Sequence, residues 1–220
     1  MAYPQRPRWY ETAQNYWSKI EGLLSHAATA QGMLGGFERI ADTDAQGSIR
    51  FLARFSGGVG LDCGAGIGRV TATVLTRLFD TVDLVEQEPK FIEAAKANFA
   101  GNKQVANFYC CGLQNFTPHE GRYSLIWSQW VLGHLPDDDL VAFFIRCKKG
   151  LLPDGCIGVK ENIAKTELVI DSEDSSCTRP DALLKELFNR AGLDLVAEQL
   201  QEGFPSEIFP VKMYLLKPRA

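Results

Sequence analysis

Groups that mark metal, disulfide or membrane chemistry are scarce in this chain. Its 220 residues include three histidines and six cysteines, and no two cysteines are spaced C-x-x-C. Cys63, Cys110, Cys111, Cys147, Cys156 and Cys177 are read as reduced, mostly buried thiols of a cytosolic protein. No metal site is expected. No apolar run approaches the roughly 20 residues that cross a bilayer, so no membrane partner is expected. The first nine residues carry Pro and Arg and no apolar stretch, so no secretory signal is expected. The cytoplasm is the expected compartment, with the nucleus also open. Nor is there a basic surplus: 23 Lys and Arg face 27 Asp and Glu, a net charge of −4. That balance argues against a nucleic-acid partner, whose phosphates need a basic surface. It suits a substrate that is itself positively charged.

What is present is an ordinary globular composition, 45% hydrophobic and 23% charged, in a length that suits one well-buried domain. Residues 1–55 read as a helical cap. Tyr10, Ala13, Trp17, Ile20 and Leu24 recur at helical spacing over 10–24, and a second short helix is predicted at 46–55. From 56 to 220 strands alternate with helices. Strands are predicted at 59–63, 81–85, 105–110, 123–127, 156–160, 193–197 and 211–216. Helices are predicted at 68–78, from Pro89, at 137–149 and at 181–191, the last closing at Gly192. Such alternation implies an α/β fold with a mainly parallel sheet covered on both faces. Ligands of such sheets lie beyond the carboxyl ends of the strands. Chemistry is therefore expected just after residues 63, 85, 110, 128 and 160.

The first of these positions reads Leu61-Asp62-Cys63-Gly64-Ala65-Gly66-Ile67-Gly68-Arg69. Glycines between a strand and a helix let the backbone approach a ligand closely. The spacing is G-x-G-x-G, not the G-x-G-x-x-G of dinucleotide folds. Asp62 would repel a pyrophosphate but is suited to a cationic amine, and Arg69 is suited to a carboxylate. Glu86, 22 residues past Gly64, ends the second strand, where an acid typically accepts ribose hydroxyls. An amino-acid group joined to a ribose describes S-adenosylmethionine. The plainer alternative is a simple βα turn beside a solvated Glu.

After the third strand, Leu113 is placed to pack on an adenine ring and Gln114 to offer an amide, unless this is merely a polar loop. After the fourth come Gln129, Trp130 and His134. Trp130 suits a substrate ring or a cation, although it also suits a core. After the fifth come Lys160-Glu161-Asn162 and the acidic, hydroxylic stretch Asp171 to Ser176. This stretch has no helical periodicity. It is either a solvated loop or a site for a cationic peptide and a proton acceptor for an amine.

Taken together, these segments resemble the eukaryotic protein α-N-terminal methyltransferases, which act on proteins beginning Xaa-Pro-Lys or Xaa-Pro-Arg after loss of the initiator Met. The resemblance runs from about Tyr16 to Leu216. It is carried by Tyr16-Trp17, Met33-Leu34-Gly35-Gly36-Phe37, the glycine loop, Cys111-Gly112-Leu113-Gln114, Gln129-Trp130-Val131-Leu132-Gly133-His134-Leu135, Lys160-Glu161-Asn162 and Asp174-Ser175-Ser176. The glycine loop is shared by many methyltransferases. The Gln-Trp-x-x-Gly-His and Asp-Ser-Ser segments are more specific. The resemblance implies a seven-stranded Rossmann-like S-adenosylmethionine methyltransferase fold, with an antiparallel last strand, an N-terminal helical extension and a substrate-binding insertion near 162–178.

It also implies roles. Gly64, Gly66, Arg69, Glu86, Gln87, Glu88, Gln114 and Gln129 are expected at the cofactor, with Leu113 beside the adenine. Trp130 is expected on the second-position proline, Asn162 on the peptide backbone, and Asp171, Asp174 and Ser176 at the third-position basic side chain. Trp17 is expected among the substrate-binding residues, and Leu34 and Gly35 are expected to help close the channel around the N-terminus. Asp174 and His134 are the expected catalytic pair, orienting and deprotonating the α-amine. Ribosomal proteins are among the substrates it suggests. Two positions depart from the family: Glu86 where Asp is frequent, and Phe209 where Tyr is common. Two rival readings stay open on the residues alone, a small-molecule N- or O-methyltransferase and a non-catalytic scaffold of the same fold.

Overall fold

The computed structural model describes residues 6–19 and 38–219. Strands β1 (Val59–Cys63), β2 (Thr81–Glu86), β3 (Val105–Cys110), β4 (Tyr123–Gln129) and β5 (Leu151–Ala164) form the parallel part of one sheet, in the order β3-β2-β1-β4-β5. Two further strands, β6 (Val169–Asp171) and β7 (Ser176–Pro180), form a small antiparallel hairpin. β7 joins the far end of β5 through Ile163 and Ala164. β8 (Leu193–Leu200) pairs antiparallel with β9 (Val211–Pro218), and β9 lies antiparallel against β5. The seven expected strands are β1–β5, β8 and β9. The two additional ones form a short hairpin over 169–180, within and just past the expected 162–178 insertion.

The sheet is apolar on both faces because its strand residues alternate between two cores. Tyr123 and Ile126 of β4, Ile157 and Val159 of β5, and Tyr214 and Leu216 of β9 pack with α5 (Asp137–Gly150) and α6 (Asp181–Arg190). Leu125 and Trp127 of β4, Cys156 of β5, and Met213 and Leu215 of β9 pack on the other side. There they meet α2 (Ala41–Phe51), α3 (Arg69–Thr73) and α4 (Pro89–Asn98). Burial of each such large side chain contributes about 1.5–3 kcal/mol, enough to hold the strand ends that carry the site.

Three elements differ from the sequence pattern for local reasons. The helix expected at 68–78 breaks at Val74 into α3 and a 3-10 turn, Leu75–Arg77. Val70, Thr71, Thr73 and Val74 are β-branched, and Thr73 and Thr76 bond back to the carbonyls of Arg69 and Ala72, which bends a helix. The Pro153-Asp154-Gly155 turn signal is absorbed within β5 as a break in register, between Tyr123 opposite Leu151 and Leu125 opposite Cys156. The first helix, α1 (Arg6–Lys19), starts earlier than expected, and residues 20–24 lie outside the described residues. Four cysteines are buried as expected, whereas Cys110 is exposed and Cys111 half-buried, and all six are free thiols.

Candidate active site

The glycine loop and β2 are fitted to each other. Gly64 has φ +69°, and a Cβ there would fall 2.3 Å from Cγ2 of Val131, so only glycine is accommodated. The Glu86 carboxylate accepts the Gly66 N–H at 3.0 Å and the Glu88 N–H at 2.9 Å. Burial nevertheless pushes its pKa up, against these amides. Gly66 and Glu88 thus hold Glu86 and are not part of the cavity wall.

Beyond these strand ends lies an inner cavity of about 100 Å³. Gly64, Arg69, Glu86 and Gln87 line one side, and Leu113, Gln114 and Gln129 another. Tyr10, Ala13 and Trp17 of α1 close over it, with Phe91 of α4; of these only Trp17 is an expected site residue. α1 is fastened there by its side chains. Trp9 Nε1–H donates to the His134 carbonyl at 2.7 Å and the Tyr10 hydroxyl to Asp139 at 2.6 Å, while Arg6 pairs with Asp138 and Asp139 at 3.3 Å. The acidic first turn of α5 therefore anchors the cap as well as suiting the helix dipole.

Arg69 meets a carboxylate, but it is the protein's own. Its Nη1 lies 2.8 Å from Oδ2 of Asp44, a fully buried acid on α2. Oδ1 of the same carboxylate faces the buried Lys160 ammonium at 2.6 Å, and Gln129 Nε2–H donates to both oxygens at 2.9 Å. Burial alone would raise Asp44; Lys160 and Arg69 reverse this and hold it below the usual range. Asp62, expected to face a cationic amine, is instead sealed behind the loop. Its Oδ2 accepts the Thr71 hydroxyl at 2.7 Å, and burial pushes its pKa up to about 6.

A second, outer cleft of about 830 Å³ opens beside the first, and Trp17, Trp130 and His134 border both. Asn162, Asp174 and Ser176 line this cleft with Glu161, Glu167 and Glu207. Asp171 is exposed and outside the wall, where it caps its own turn by accepting the Glu173 N–H at 2.8 Å. Trp130 has φ +53°, uncommon for a bulky residue. Glu161 holds this turn, its Oε1 accepting the N–H groups of Val131 at 2.9 Å and Leu132 at 2.8 Å. Burial pushes Glu161 up to about 7, against those amides. Two buried polar atoms of the cleft wall, Trp130 Nε1 and Asp174 Oδ1, have no hydrogen-bond partner among the described residues, nor does Ser128 Oγ at the end of β4.

His134 is tied on both sides. Its Nδ1 is 3.1 Å from the Ser175 carbonyl, which requires a proton on Nδ1, and Trp17 Nε1–H donates to Nε2 at 3.3 Å. Burial lowers its pKa while Asp174 opposes this, and the two ring contacts, one donated and one accepted, are those of a neutral imidazole. Leu34 and Gly35 lie outside the described residues.

The sequence profile of one family, the AdoMet dependent proline di-methyltransferases, matches residues 5–217. The chain belongs to this family. Individual relatives are also similar over most of their length. The alpha N-terminal protein methyltransferase 1 of Schizosaccharomyces pombe is 46% identical over 222 residues, covering 97% of this chain and 98% of the relative. The N-terminal Xaa-Pro-Lys N-methyltransferase 1-A of Xenopus laevis is 42% identical over 221 residues, covering 96% of each chain. A solved SAM-dependent methyltransferase of Leishmania major superposes with a TM-score of 0.88 at 39% identity, over 95% of this chain and 83% of that one. The protein is an S-adenosylmethionine-dependent methyltransferase.

The donor set of the inner cavity suits this cofactor: a close-approach glycine, an acid, an apolar side chain and a cation meet in one enclosure. The unforeseen residues, Asp44, Phe91, Tyr10 and Ala13, and the unforeseen role of Lys160 share a feature. Their partners are remote in sequence, as with Asp44 and Lys160, 116 residues apart. A helical pattern marks α1 as a packing helix but does not show what it covers.

Proposed function

We propose that this enzyme methylates the α-amine of proteins whose N-termini read Xaa-Pro-Lys or Xaa-Pro-Arg, ribosomal proteins among them. The observation that carries this reading is the joining of the two cavities. An acidic cleft, with Glu167, Asp174 and Glu207 against Lys165, meets the inner cavity at Trp17, Trp130 and His134. A cationic chain terminus in the cleft would place its amine at that junction. S-adenosylmethionine supplies there an electrophilic methyl group on its sulfonium.

The protein's residues then divide the work. Arg69 and Gln129 hold the cofactor's amino-acid end, Glu86 and Gln87 its ribose, Leu113 and Gln114 its adenine. Trp130 packs on the second-position proline and Asn162 bonds the peptide backbone. Asp174 and Ser176 receive the basic third side chain, with Asp171 acting from the rim. An α-amine has an ordinary pKa of about 7.7–8.0 against about 10.4 for lysine, so one carboxylate suffices to free its lone pair near neutral pH. Asp174 is the freer acceptor because its Oδ1 has no partner among the described residues, whereas Nε2 of His134 is occupied by Trp17. His134 orients the pair.

A peptide beginning Ser-Pro-Lys is methylated on its α-nitrogen, and one beginning Ser-Pro-Glu is turned over at least about 100-fold less efficiently, because a carboxylate in this cleft is repelled and left unpaired. Mass spectrometry of the two reactions decides. Equal turnover sinks the assignment of the cleft.

A further inference from the structure

Arg69 is an unusual choice for a ligand-binding cation, because it already has a buried anion. We propose that Asp44 and Lys160 are positioning residues that set the direction and the effective charge of Arg69 and Gln129, and so determine affinity for the carboxylate end of the cofactor. This rests on the assignment of Arg69 to that end.

Three observations converge on it. Asp44 is buried on α2, yet its carboxylate takes both side chains that reach the inner cavity from this side, Arg69 at 2.8 Å and Gln129 at 2.9 Å. Gln129 cannot turn away, because its Oε1 accepts the buried Trp127 indole N–H at 3.2 Å. Lys160 is fully buried with a dense acceptor set: Asp44 Oδ1 at 2.6 Å, Gln201 Oε1 at 2.8 Å, Ser48 Oγ at 2.9 Å and the Asp44 carbonyl at 3.0 Å. Such an ammonium is costly to bury and serves no cavity wall of its own.

The pair makes sense as a neutraliser. If Asp44 stood alone beside Arg69, it would cancel the guanidinium. With Lys160 on its other oxygen, one carboxylate is shared by two cations, and Arg69 keeps positive character toward the cavity. Asp62 also faces Arg69 from β1, but its carboxyl is enclosed and bonded by Thr71. The geometry also fixes the guanidinium, which lies over the Trp130 ring with Cζ 5.5 Å from the centroid. A charge held in advance loses less entropy when its ligand arrives.

Calorimetry with two probes separates this role from ordinary structural support. S-adenosylhomocysteine carries the amino-acid end. 5′-Methylthioadenosine shares the adenosine and thioether and lacks that end. Asp44→Asn is expected to weaken S-adenosylhomocysteine about tenfold or more while leaving methylthioadenosine within about twofold, the loss of one charge-assisted contact. It does so although the substitution makes the cluster more positive. Lys160→Met weakens the same probe selectively. If Asp44→Asn folds poorly with Lys160 unpaired, the Asp44→Asn/Lys160→Met double variant removes both charges and shows the same selective loss. Unchanged affinity, or equal loss for both probes, overturns the proposal. Arg69→Ala is the reference. If it shows no selective loss, the assignment of Arg69 fails and the proposal with it. If Arg69→Ala is selective and the Asp44 variants are not, only the proposal fails.

Discussion

The inner cavity and the outer cleft share three walls and are built differently. The inner cavity is about 100 Å³, the outer about 830 Å³. Most polar residues of the inner wall sit at or just after the ends of paired strands, and the carboxylates at or behind that wall are already bonded: Glu86 by two backbone amides, and Asp44, on α2 behind Arg69 and Gln129, by three side chains. Outer residues sit on the end of β5, a two-strand hairpin and a loop, and here polar atoms are left without a partner among the described residues, Asp174 Oδ1 in the cleft and Trp130 Nε1 at the junction. A cavity whose groups are bonded in advance suits one constant ligand. A cleft with unsatisfied groups and surplus negative charge suits a class of peptides that differ in all but a few atoms. Disturbing the first should change cofactor affinity, and disturbing the second should change peptide turnover.

The largest effect is expected in the cleft. Asp174→Asn keeps the shape and removes the proton acceptor, so turnover at pH 7 should fall about 100-fold or more with S-adenosylhomocysteine affinity unchanged. Raising the pH should recover part of the loss, because more of the amine is then already neutral. Wild-type turnover in a variant that binds peptide normally would remove Asp174 from the chemistry. The matching change inside is Glu86→Ala, which should weaken S-adenosylhomocysteine about tenfold to a hundredfold by calorimetry. Methylthioadenosine should weaken equally, since it retains the ribose. A selective loss of only one of them would place Glu86 away from the ribose.

The contrast also explains which parts were legible in the sequence. β1 and β3 were bounded correctly from apolar runs alone, and the residues after them line the inner cavity, because strand ends in a parallel sheet converge without further instruction. Arg69 was readable as a carboxylate binder, but its partner Asp44 was not. An acid on a short helix with no charge pattern gives no sign that it is buried. In the outer cleft the residue types were readable and their arrangement was not. Asp171 and Asp174 are three apart in a stretch that the sequence leaves irregular. Only the hairpin register, with Asp171 opposite Ser176, separates the rim from the wall. The role of α1 was the least legible, because the contacts that dock it, Trp9 to the His134 carbonyl and Tyr10 to Asp139, span more than 120 residues.

A smaller effect tests the turn that carries Trp130. Glu161 has a folded-state pKa of about 7 against an ordinary 4.5, so between those values the folded state holds the proton more tightly. Its contribution to stability is therefore present below pH 4.5 and lost as pH rises through 7. Glu161→Gln keeps an acceptor for the Val131 and Leu132 amides and cannot ionise. The melting temperature of the variant relative to wild type should then rise by a few degrees between pH 5 and pH 8. A difference that stays flat with pH would mean that Glu161 is charged in the folded protein at all of these values.

The smallest expected effect concerns Trp17, which belongs to both halves. Its indole N–H donates to Nε2 of His134, and its ring meets the imidazole edge-on with centroids 5.8 Å apart. That hydrogen bond exists only while Nε2 is unprotonated, so it favours neutral His134 beyond the lowering that burial already causes. Trp17→Phe retains an aromatic wall and removes the donor. The His134 pKa should therefore rise toward its ordinary value by less than about one unit, the worth of a single hydrogen bond. Titration of the ring by nuclear magnetic resonance reads this directly. In turnover, the acidic limb of the pH profile should move upward by the same amount, with activity at pH 8 within about fivefold of wild type. Cofactor affinity should barely move, because the ring still covers the cavity. A large loss of cofactor affinity with an unmoved His134 would make Trp17 a wall of the inner cavity alone, and the two halves would then meet only at Trp130 and His134.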